Sequence, residues 1–479
     1  MSYNFVGVDR EQLLLMPPSV ADWLPEDHLA WFVLDAVDEL DLCGFMDGYR
    51  VDGRGGAAYH PAMMVALLVY AYAVGERSSR GIQRRCVEDV AFRVVAANQV
   101  PDHATIARFR VSHAEAIAGL FGQVLALCAR AGVLRVGLLA IDGTKITASA
   151  SRDANRTAEQ LAAEILDEAA AVDAAEDAQA ADSDDGVVPD DLKGRGPRRR
   201  ARLRELLDEL EAEAKDKSFE AHLERRAERE AATGRPLRGR RPKPDTPKHQ
   251  SRRHANTTDP DSRLMPTKDG FIQGYNAQTV VTEDQYVVAA DITNRTTDAG
   301  SFAPMIGAAK TNLRRAGVSG RVRTVLADAG YWSDGNVHLA GVESLIAPGK
   351  SRKLGQIAEQ NTARSALLAR VEAGEIDSGE AARELGVTRS HVNHMLRHRR
   401  GGQAESLTTT MAVKLATPRG KRLYKKRAAS VEPVFAQIKH NRRIRVMSRR
   451  GIVAADSEWK LITATHNLLK LWRHANLAT

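Results

Sequence analysis

Two acidic residues each follow a short apolar run in the sequence. Asp142 follows a run that begins at Val136, and Asp328 follows a run that begins at Val322. Runs of this length predict buried strands. An ionised carboxylate at the end of a buried strand is costly unless a cation or hydrogen bonds compensate its charge. For Asp142 the compensation is either a metal ion or the backbone N–H groups of the following turn, residues 143–145.

The segments between the two acids predict how they come together. Gly274–Thr282 and Tyr286–Ile292 alternate apolar and polar residues on either side of a short turn, which predicts a β-hairpin. A helix is predicted over Ser301–Ala316, and Val342–Pro348 could form one further strand. Two buried strands with a hairpin and a crossover helix between them can lie side by side, with both carboxylates at the same edge of the sheet.

A third acid lies within a strongly basic segment. Between Arg419 and Arg450 there are twelve Lys or Arg residues and one acid, Glu432. Neutralisation of phosphate groups is the simplest explanation of such a cluster. Pro433 is tolerated only in the first turn of a helix, so a helix is predicted to begin near Ser430. Glu432 is then either a third acid at the same sheet edge or an ordinary first-turn acid that pairs with a nearby cation.

Three carboxylates among cations suit a pair of Mg²⁺ or Mn²⁺ ions about 4 Å apart, which activate an oxygen nucleophile and stabilise the leaving oxygen of a phosphoryl transfer. The sequence contains no Walker loop, no GxSxG motif and no Cys/His spacing typical of a zinc site. The residues by themselves therefore indicate metal-dependent phosphoryl transfer on nucleic acid.

The composition is that of a multidomain globular protein. The chain has 479 residues, 43% of them hydrophobic, and a formal net charge of +8. Its three cysteines have no metal-like spacing, which predicts thiols in a reducing compartment and hence a cytoplasmic protein, associated with the nucleoid when bound to DNA. We expect no signal peptide and no membrane partner, because the longest apolar run is too short to cross a bilayer.

Residues 1–130 are predicted to form a helical domain that binds DNA ends. Helices are predicted from Pro25 to Leu40, from His60 to Gly75 and from Ser78 to about Ala97. Asp102 is expected to begin a further helix, whose arginines face either phosphate groups or solvent.

Two helical insertions are predicted. Residues 152–256 form a charged helical arm and a basic linker over 234–253, whose motif Arg238–Pro242 either contacts a DNA minor groove or is only a linker. Residues 351–405 contain a helix-turn-helix pattern over Ser378–Arg397. If that unit binds DNA, the expected contacts are the polar residues Thr388, Arg389, Ser390 and Asn393.

Together these residues resemble the DDE transposases of bacterial insertion sequences, in the branch with a Tyr-Arg-Glu-Lys signature around the last acid. The motifs LLAIDGTKI, VLADAGYW and YKKRAASVEPVFAQIK contain the matching residues Asp142, Asp328, Tyr424, Arg427, Glu432 and Lys439. Segments 60–80, 101–103, 258–263 and 274–278 are similar to the family's N-terminal domain and to the re-entry into its catalytic domain. Four residues separate Arg427 from Glu432, where the signature usually has fewer.

The resemblance implies an α/β ribonuclease-H-like catalytic domain with inserted helical segments, preceded by the all-α N-terminal domain. It also implies Mg²⁺- or Mn²⁺-dependent cleavage and strand transfer of double-stranded DNA, at terminal inverted repeats and target DNA, by a homodimer or higher multimer. Asp142, Asp328 and Glu432 would be the catalytic metal ligands. The expected DNA contacts are the signature residues and three further arginines: Tyr424, Arg427, Lys439, Arg442, Arg443 and Arg445.

The catalytic core is predicted to comprise residues 131–151 and 257–350, interrupted by the arm and linker of 152–256. The helical insertion 351–405 follows, and then the basic helical part 406–479, which carries the last acid. Two alternatives remain open. One is a DNA-binding protein without catalysis, which uses only the basic helix and the helix-turn-helix. The other is a site-specific nuclease of the same fold, which shares all of these residues.

Overall fold

The computed structural model describes residues 22, 24–47, 49, 58–167, 196–216, 254–349, 351–400 and 406–478, with short helical pieces between 223 and 231. The fold is mixed α/β, and its N-terminal region is helical. The basic linker 234–253, with its predicted minor-groove motif, lies outside the described residues.

Helices account for the structure before the first strand. In the described part of this region they are α1 (Leu29–Asp38), α2 (Cys43–Met46), α3 (Pro61–Ala73), α4 (Ser79–Glu88), α5 (Val90–Val95), α6 (His103–Ser112) and α7 (Ala114–Arg130). The prediction of a single helix over 78–97 is wrong, because the chain becomes extended at Asp89. The Asp89 carboxylate accepts the N–H groups of Ala91 and Phe92, so this residue ends one helix and caps the next.

A mixed sheet forms the centre of the molecule. The strands are β1 (Leu138–Thr147), β2 (Asn155–Arg156), β3 (Ala255–Asn256), β4 (Arg263–Thr267), β5 (Gly270–Thr282), β6 (Val287–Thr293), β7 (Thr324–Ala327) and β8 (Glu343–Ile346). The central order is β6-β5-β1-β7-β8, with β4 paired to the start of β5, while β2 and β3 form a separate pair. Strands β6, β5 and β1 are antiparallel, whereas β1, β7 and β8 are parallel.

The remaining helices surround this sheet and form the insertions. They are α8 (Gly196–Asp216), α9 (Phe302–Arg315), α10 (Asp334–Val337), α11 (Ser351–Glu372), α12 (Ser378–Leu385), α13 (Arg389–Arg400), α14 (Leu407–Ala416), α15 (Pro418–Ala436) and α16 (Ile452–Ala478). The predicted hairpin is confirmed as β5 and β6, the predicted helix 301–316 as α9, and the predicted strand at 342–348 as β8.

Strand β1 is longer than predicted. We expected it to end at Asp142, but it continues to Thr147 because β5 pairs with it from Leu139 to Thr147. Strand β7, by contrast, pairs with β1 only from Leu138 to Ala140. Beyond Ala140, β7 therefore no longer pairs with β1, and Asp142 lies just past the point where these two strands separate.

Helix α15 also differs from the prediction. It begins at Pro418, so the first-turn proline is this residue and Pro433 lies inside the helix. A proline has no N–H to donate to the carbonyl four residues earlier, which here is that of Ala429. The side chain of Gln285, from the turn between β5 and β6, donates to this carbonyl instead, at 3.1 Å. A partner distant in the sequence thus satisfies the carbonyl that the interior proline leaves open.

The N-terminal helices, the sheet and α16 share one hydrophobic core. The Trp459 side chain of α16 is fully buried, and its indole N–H donates to the carbonyl of Gln278 in β5 at 3.1 Å. The carboxylate of Glu458, with no exposed side-chain surface, pairs with Arg77 at 2.9 Å. Among the described helices, none is by itself both long and apolar enough to cross a membrane; α6 and α7 reach that length only as a pair bent by 75°.

The described parts of the two insertions have small cores of their own. In the first, Leu203, Leu206 and Leu210 of α8 pack against Leu161 and Ala255. The leucines at 203, 206 and 210 thus form the buried face of an amphipathic helix. In the second, α11, α12 and α13 enclose a separate apolar cluster.

Candidate active site

The first two acids lie level with each other on neighbouring parallel strands. Ala140 in β1 is paired with Leu326 in β7, so two residues further along each chain the same register places Asp142 beside Asp328. This is the arrangement predicted from the two apolar runs. It arises because parallel strands end at a common sheet edge.

Both carboxylate oxygens of Asp142 accept hydrogen bonds. Oδ1 accepts the N–H of Gly143 at 2.8 Å, and Oδ2 accepts an N–H of the Arg427 guanidinium at 3.0 Å. Burial, together with the negative charge of Asp328, raises the pKa of Asp142 to about 6, although Arg427 acts in the opposite direction. Two carboxylates that repel each other in a poorly solvated place are a binding site for positive charge.

Asp328 begins a short 3₁₀ turn at the end of β7. Its Oδ1 accepts the N–H of Gly330 at 2.9 Å. Directly before it, the carbonyl of Ala327 accepts the hydroxyl of Tyr424 at 3.1 Å. Tyr424 therefore connects α15 to the end of the strand that carries the second acid.

Arg427 lies between Asp142 and the third acid. Its guanidinium reaches Asp142 with one nitrogen and lies 3.9 Å from the Glu432 carboxylate with the other. The side chain of Glu432 is 65% exposed, so it lies at the rim of the site rather than between the aspartates. Within the described residues, no group of three His, Cys, Asp or Glu side chains is arranged as a metal site.

Lys439 lies in a π-helical turn, Gln437–Asn441, that directly follows α15. Its ammonium donates to the hydroxyl of Thr144 at 2.6 Å and to the carbonyl of Lys145 at 2.7 Å. Burial and the positive charge of Arg445 lower the pKa of Lys439 to about 8. The lysine of the signature thus lies beside the same stretch of β1 as Asp142.

Sequence reasoning missed a fourth acid at this site, Asp298. Its Oδ1 accepts the side-chain amides of Asn276 at 2.6 Å and Gln278 at 2.8 Å, and lies 3.6 Å from the ammonium of Lys145. A Cβ placed on Gly143 would approach Asp298 Oδ1 to 2.8 Å. The carboxylate therefore occupies the space beside the residue that follows Asp142.

A second glycine borders the same carboxylate. A Cβ placed on Gly330 would lie 3.1 Å from Asp298 Oδ2. The signal that could have pointed to Asp298 is the pair of polar residues Asn276 and Gln278, which alternate on one face of an otherwise apolar, buried strand.

The three expected arginine contacts do not share one environment. Arg442 is 4% exposed and donates to the hydroxyl of Thr465 at 2.8 Å and the carbonyl of Ile462 at 3.0 Å. The expectation that Arg442 contacts DNA is therefore wrong for this structure, because its guanidinium lies in the interior. Arg443 and Arg445 are exposed.

Comparison with known proteins gave two matches to family models. A transposase domain family (DUF772) matches residues 18–112, and a transposase DDE domain family matches residues 387–472. The second range contains Arg427, Glu432 and Lys439, while Asp142 and Asp328 lie between the two ranges. No curated protein and no solved structure gave a match. Both matches are to transposase families, and together they support a DDE transposase of the insertion-sequence type.

Proposed function

We propose that this transposase binds the terminal inverted repeats of its element, hydrolyses phosphodiester bonds there and joins the freed 3′-hydroxyl to target DNA. The observation that carries the proposal is the register that sets Asp142 level with Asp328, with Arg427 reaching from α15 toward both Asp142 and Glu432. Because two element ends must be held together, the active form is a homodimer or higher multimer on DNA.

The sheet supports a ribonuclease-H-like catalytic domain. An antiparallel β6-β5-β1 unit is extended on the other side of β1 by the parallel strands β7 and β8, and α9 connects β6 to β7. Such a mixed sheet brings the ends of β1 and β7 together at one edge. The first insertion lies between β1 and β4 in the sequence, and the second follows β8.

The acids of the site fit a hard divalent cation. Dependence on a divalent metal is general in this family, and carboxylate oxygens without thiol or imidazole ligands favour Mg²⁺ or Mn²⁺. Burial and the charge of Asp328 raise the pKa of Asp142, so a bound cation would stabilise the ionised carboxylate of this residue. Asp142, Asp328 and Glu432 would hold the metal. When bound, the cation supplies activation of the attacking oxygen and stabilisation of the leaving oxygen.

The cationic side chains orient the acids and the DNA. Arg427 neutralises Asp142 through the bond from Nη1, while its Nη2 lies 3.9 Å from Glu432. A DNA phosphate near Asp142 would compete for the same guanidinium, which forms forked bonds to phosphate as readily as to carboxylate. Lys439 uses two of its three N–H groups on β1, so the third can point to the same phosphate. Tyr424 holds the end of β7 in place through Ala327.

Asp298 is a positioning residue in this proposal. It holds Gln278 and Asn276 of β5 through its Oδ1, and it borders the glycines that follow Asp142 and Asp328. Its carboxylate therefore fixes the distance between the two strand ends without contacting DNA itself.

Of the three arginines expected to contact DNA, Arg442 is buried whereas Arg443 and Arg445 are exposed, which gives matched variants. We expect Arg445→Ala to weaken binding to element-end and unrelated DNA alike, and to lower the slope of log affinity against log salt by about one. We expect Arg442→Ala to lower the melting temperature instead, because it removes a buried hydrogen-bonded guanidinium. Fluorescence anisotropy at several salt concentrations beside a thermal melt separates the two effects. An unchanged salt slope for Arg445→Ala would remove that residue from the DNA contacts.

The experiment that tests the proposed function uses the whole chain. Purified protein is incubated with a duplex carrying the terminal sequence of its element, a supercoiled plasmid target and Mg²⁺. We expect nicked ends and products in which the end is covalently joined to the plasmid, both absent for Asp142→Asn, which retains the side-chain shape but not the charge.

Each alternative gives a different product. A site-specific nuclease would cut the end without producing joined DNA, and a DNA-binding protein without catalysis would retard the duplex but leave it intact. Either result with well-folded wild-type protein would contradict the proposal.

A further inference from the structure

The insertion after β8 contains a compact unit of three helices. Leu368 of α11, Ala381 and Ala382 of α12, and Val392 and Leu396 of α13 are buried against one another. This cluster is separate from the two cores that involve the sheet. The unit is attached to the catalytic body through α11, which packs along α14, the helix directly before the one that carries Arg427.

The turn between α12 and α13 has the geometry of a helix-turn-helix. Gly386 ends α12 in the left-handed conformation at φ 65°, and the N–H of Val387 returns to the carbonyl of Ala382 at 3.0 Å. Thr388 then caps α13 by accepting the N–H of His391 at 3.3 Å. Three residues, 386–388, therefore turn the chain between the two helices, as the sequence pattern predicted.

The outward face of α13 is polar and positively charged. The helix sequence RSHVNHMLRHRR contains four arginines, three histidines and no acid. Its apolar residues Val392 and Leu396 face the small core, whereas Arg389, Asn393 and Arg397 are exposed.

A face of this composition fits DNA better than it fits a protein surface. Among the described residues of the unit, the only large hydrophobic side chain on the surface is Val387, at 37% exposure. Protein-binding faces usually centre on apolar or aromatic anchors, which this face lacks. Arg and Asn are the side chains that pair with guanine and adenine edges, and a helix is of the width that a major groove admits.

We propose that α13 is a second DNA-reading element, which enters the major groove of the element end and contacts bases through Asn393 and Arg397. This inference rests on the proposed function for the identity of the DNA. Arg389 is held against Ser378 at the start of α12, at 3.0 Å, so it orients the two helices. Since α11 connects the unit to α14, the contact would lie on DNA flanking the bond that is cut.

The test compares three single variants of the full-length chain: Asn393→Ala, Arg397→Ala and Arg370→Ala. Arg370 lies on α11 and pairs with Glu375 at 3.5 Å; its side chain is 46% exposed. Its variant removes the same charge from the same unit as Arg397→Ala, but away from α13. Binding to the element-end duplex is measured by anisotropy, and protection of guanine N7 from methylation reports contacts in the major groove.

We expect Asn393→Ala and Arg397→Ala each to weaken binding to the element end by about 10- to 100-fold. The Arg397→Ala variant should also lose protection of one patch of guanines outside the cleavage position, while the Arg370→Ala variant keeps wild-type affinity and protection. Thermal melts should be unchanged, because all three side chains are on the surface.

Two results would overturn the inference. One is unchanged affinity and unchanged N7 protection in both α13 variants. The other is an equal loss of affinity in Arg370→Ala, which would reduce the effect to overall charge. Failure of the proposed function gives a different result. Wild-type protein would then leave the duplex uncut in the presence of Mg²⁺, whether or not the α13 variants bind DNA more weakly.

Discussion

Replacing Gly143 by Ala tests whether the space beside Asp142 is set by Asp298 and its partners. A Cβ at this position would lie 2.3 Å from Gln278 Nε2 and 2.8 Å from Asp298 Oδ1. Gln278 is 1% exposed and is held at both ends of its amide, by Asp298 at 2.8 Å and by the hydroxyl of Tyr331. It can therefore move away only by breaking those two hydrogen bonds.

The expected cost follows from those bonds. One involves a carboxylate and the other is neutral, so their loss in a buried place should lower the free energy of unfolding by about 2 to 4 kcal/mol. The same movement shifts the strand that presents Asp142, and strand cleavage should fall by about 10- to 100-fold because catalytic groups tolerate little displacement. Urea unfolding and Mg²⁺-dependent nicking of element-end DNA measure the two effects.

Gly137→Ala is the matched control. It changes a glycine of the same segment at which an added Cβ meets no heavy atom within 4 Å. We expect its unfolding free energy to stay within about 0.5 kcal/mol of wild type, with normal nicking. If Gly143→Ala behaved in the same way, the assignment of Asp298 as a positioning residue would be refuted.

Two further predictions concern how α14 and α15 are held to the sheet. Gln285→Ala should lower the free energy of unfolding by about 0.5 to 1 kcal/mol. In a Pro433→Ala background the loss should be smaller, because residue 433 can again donate to the Ala429 carbonyl. Additive effects of the two changes in urea unfolding would contradict this account. The paired bonds from Arg419 lower the pKa of Glu343 to about 2. This stabilisation is present above the unfolded pKa of about 4.3 and is lost as the pH falls toward 2. Glu343→Gln should thus cost up to about 1 kcal/mol at pH 6, since the pair is partly solvated, and almost nothing near pH 2; a pH-independent difference would show that another contact is responsible.

The parts of the fold that the sequence predicted are those set by local pattern. The apolar runs before Asp142 and Asp328 predicted two buried strands, and the hairpin between them followed from alternation and a turn. Parallel pairing of the two strands then needed only the general rules for connections in a sheet. The exact end of β1 did not follow, because it depends on how far β5 extends beside it.

The errors arose where a distant residue decides the outcome. Pro433 is tolerated inside α15 because Gln285, 144 residues away from Ala429 in the sequence, donates to the open carbonyl. Arg442 and Arg443 are neighbours in one basic run, yet only Arg443 is exposed, since α16 and Tyr72 surround the other. Local composition contains no information about either partner.

Glu432 provides the most direct test of the three-acid site. Its side chain is 65% exposed, and its ion pair to Arg427 is 3.9 Å long. A purely structural role would therefore be worth well under about 1 kcal/mol, and Glu432→Gln would then alter neither stability nor activity appreciably. As a metal ligand, the same change removes charge from the cation site while the shape of the side chain is nearly unchanged.

The measurement is Mg²⁺-dependent nicking of element-end DNA by Glu432→Gln, beside its thermal melt and its affinity for the same duplex. The account predicts a fall in nicking by orders of magnitude, with the melt and the affinity unchanged. Nicking within a few-fold of wild type would remove Glu432 from the site and contradict the proposed catalytic trio.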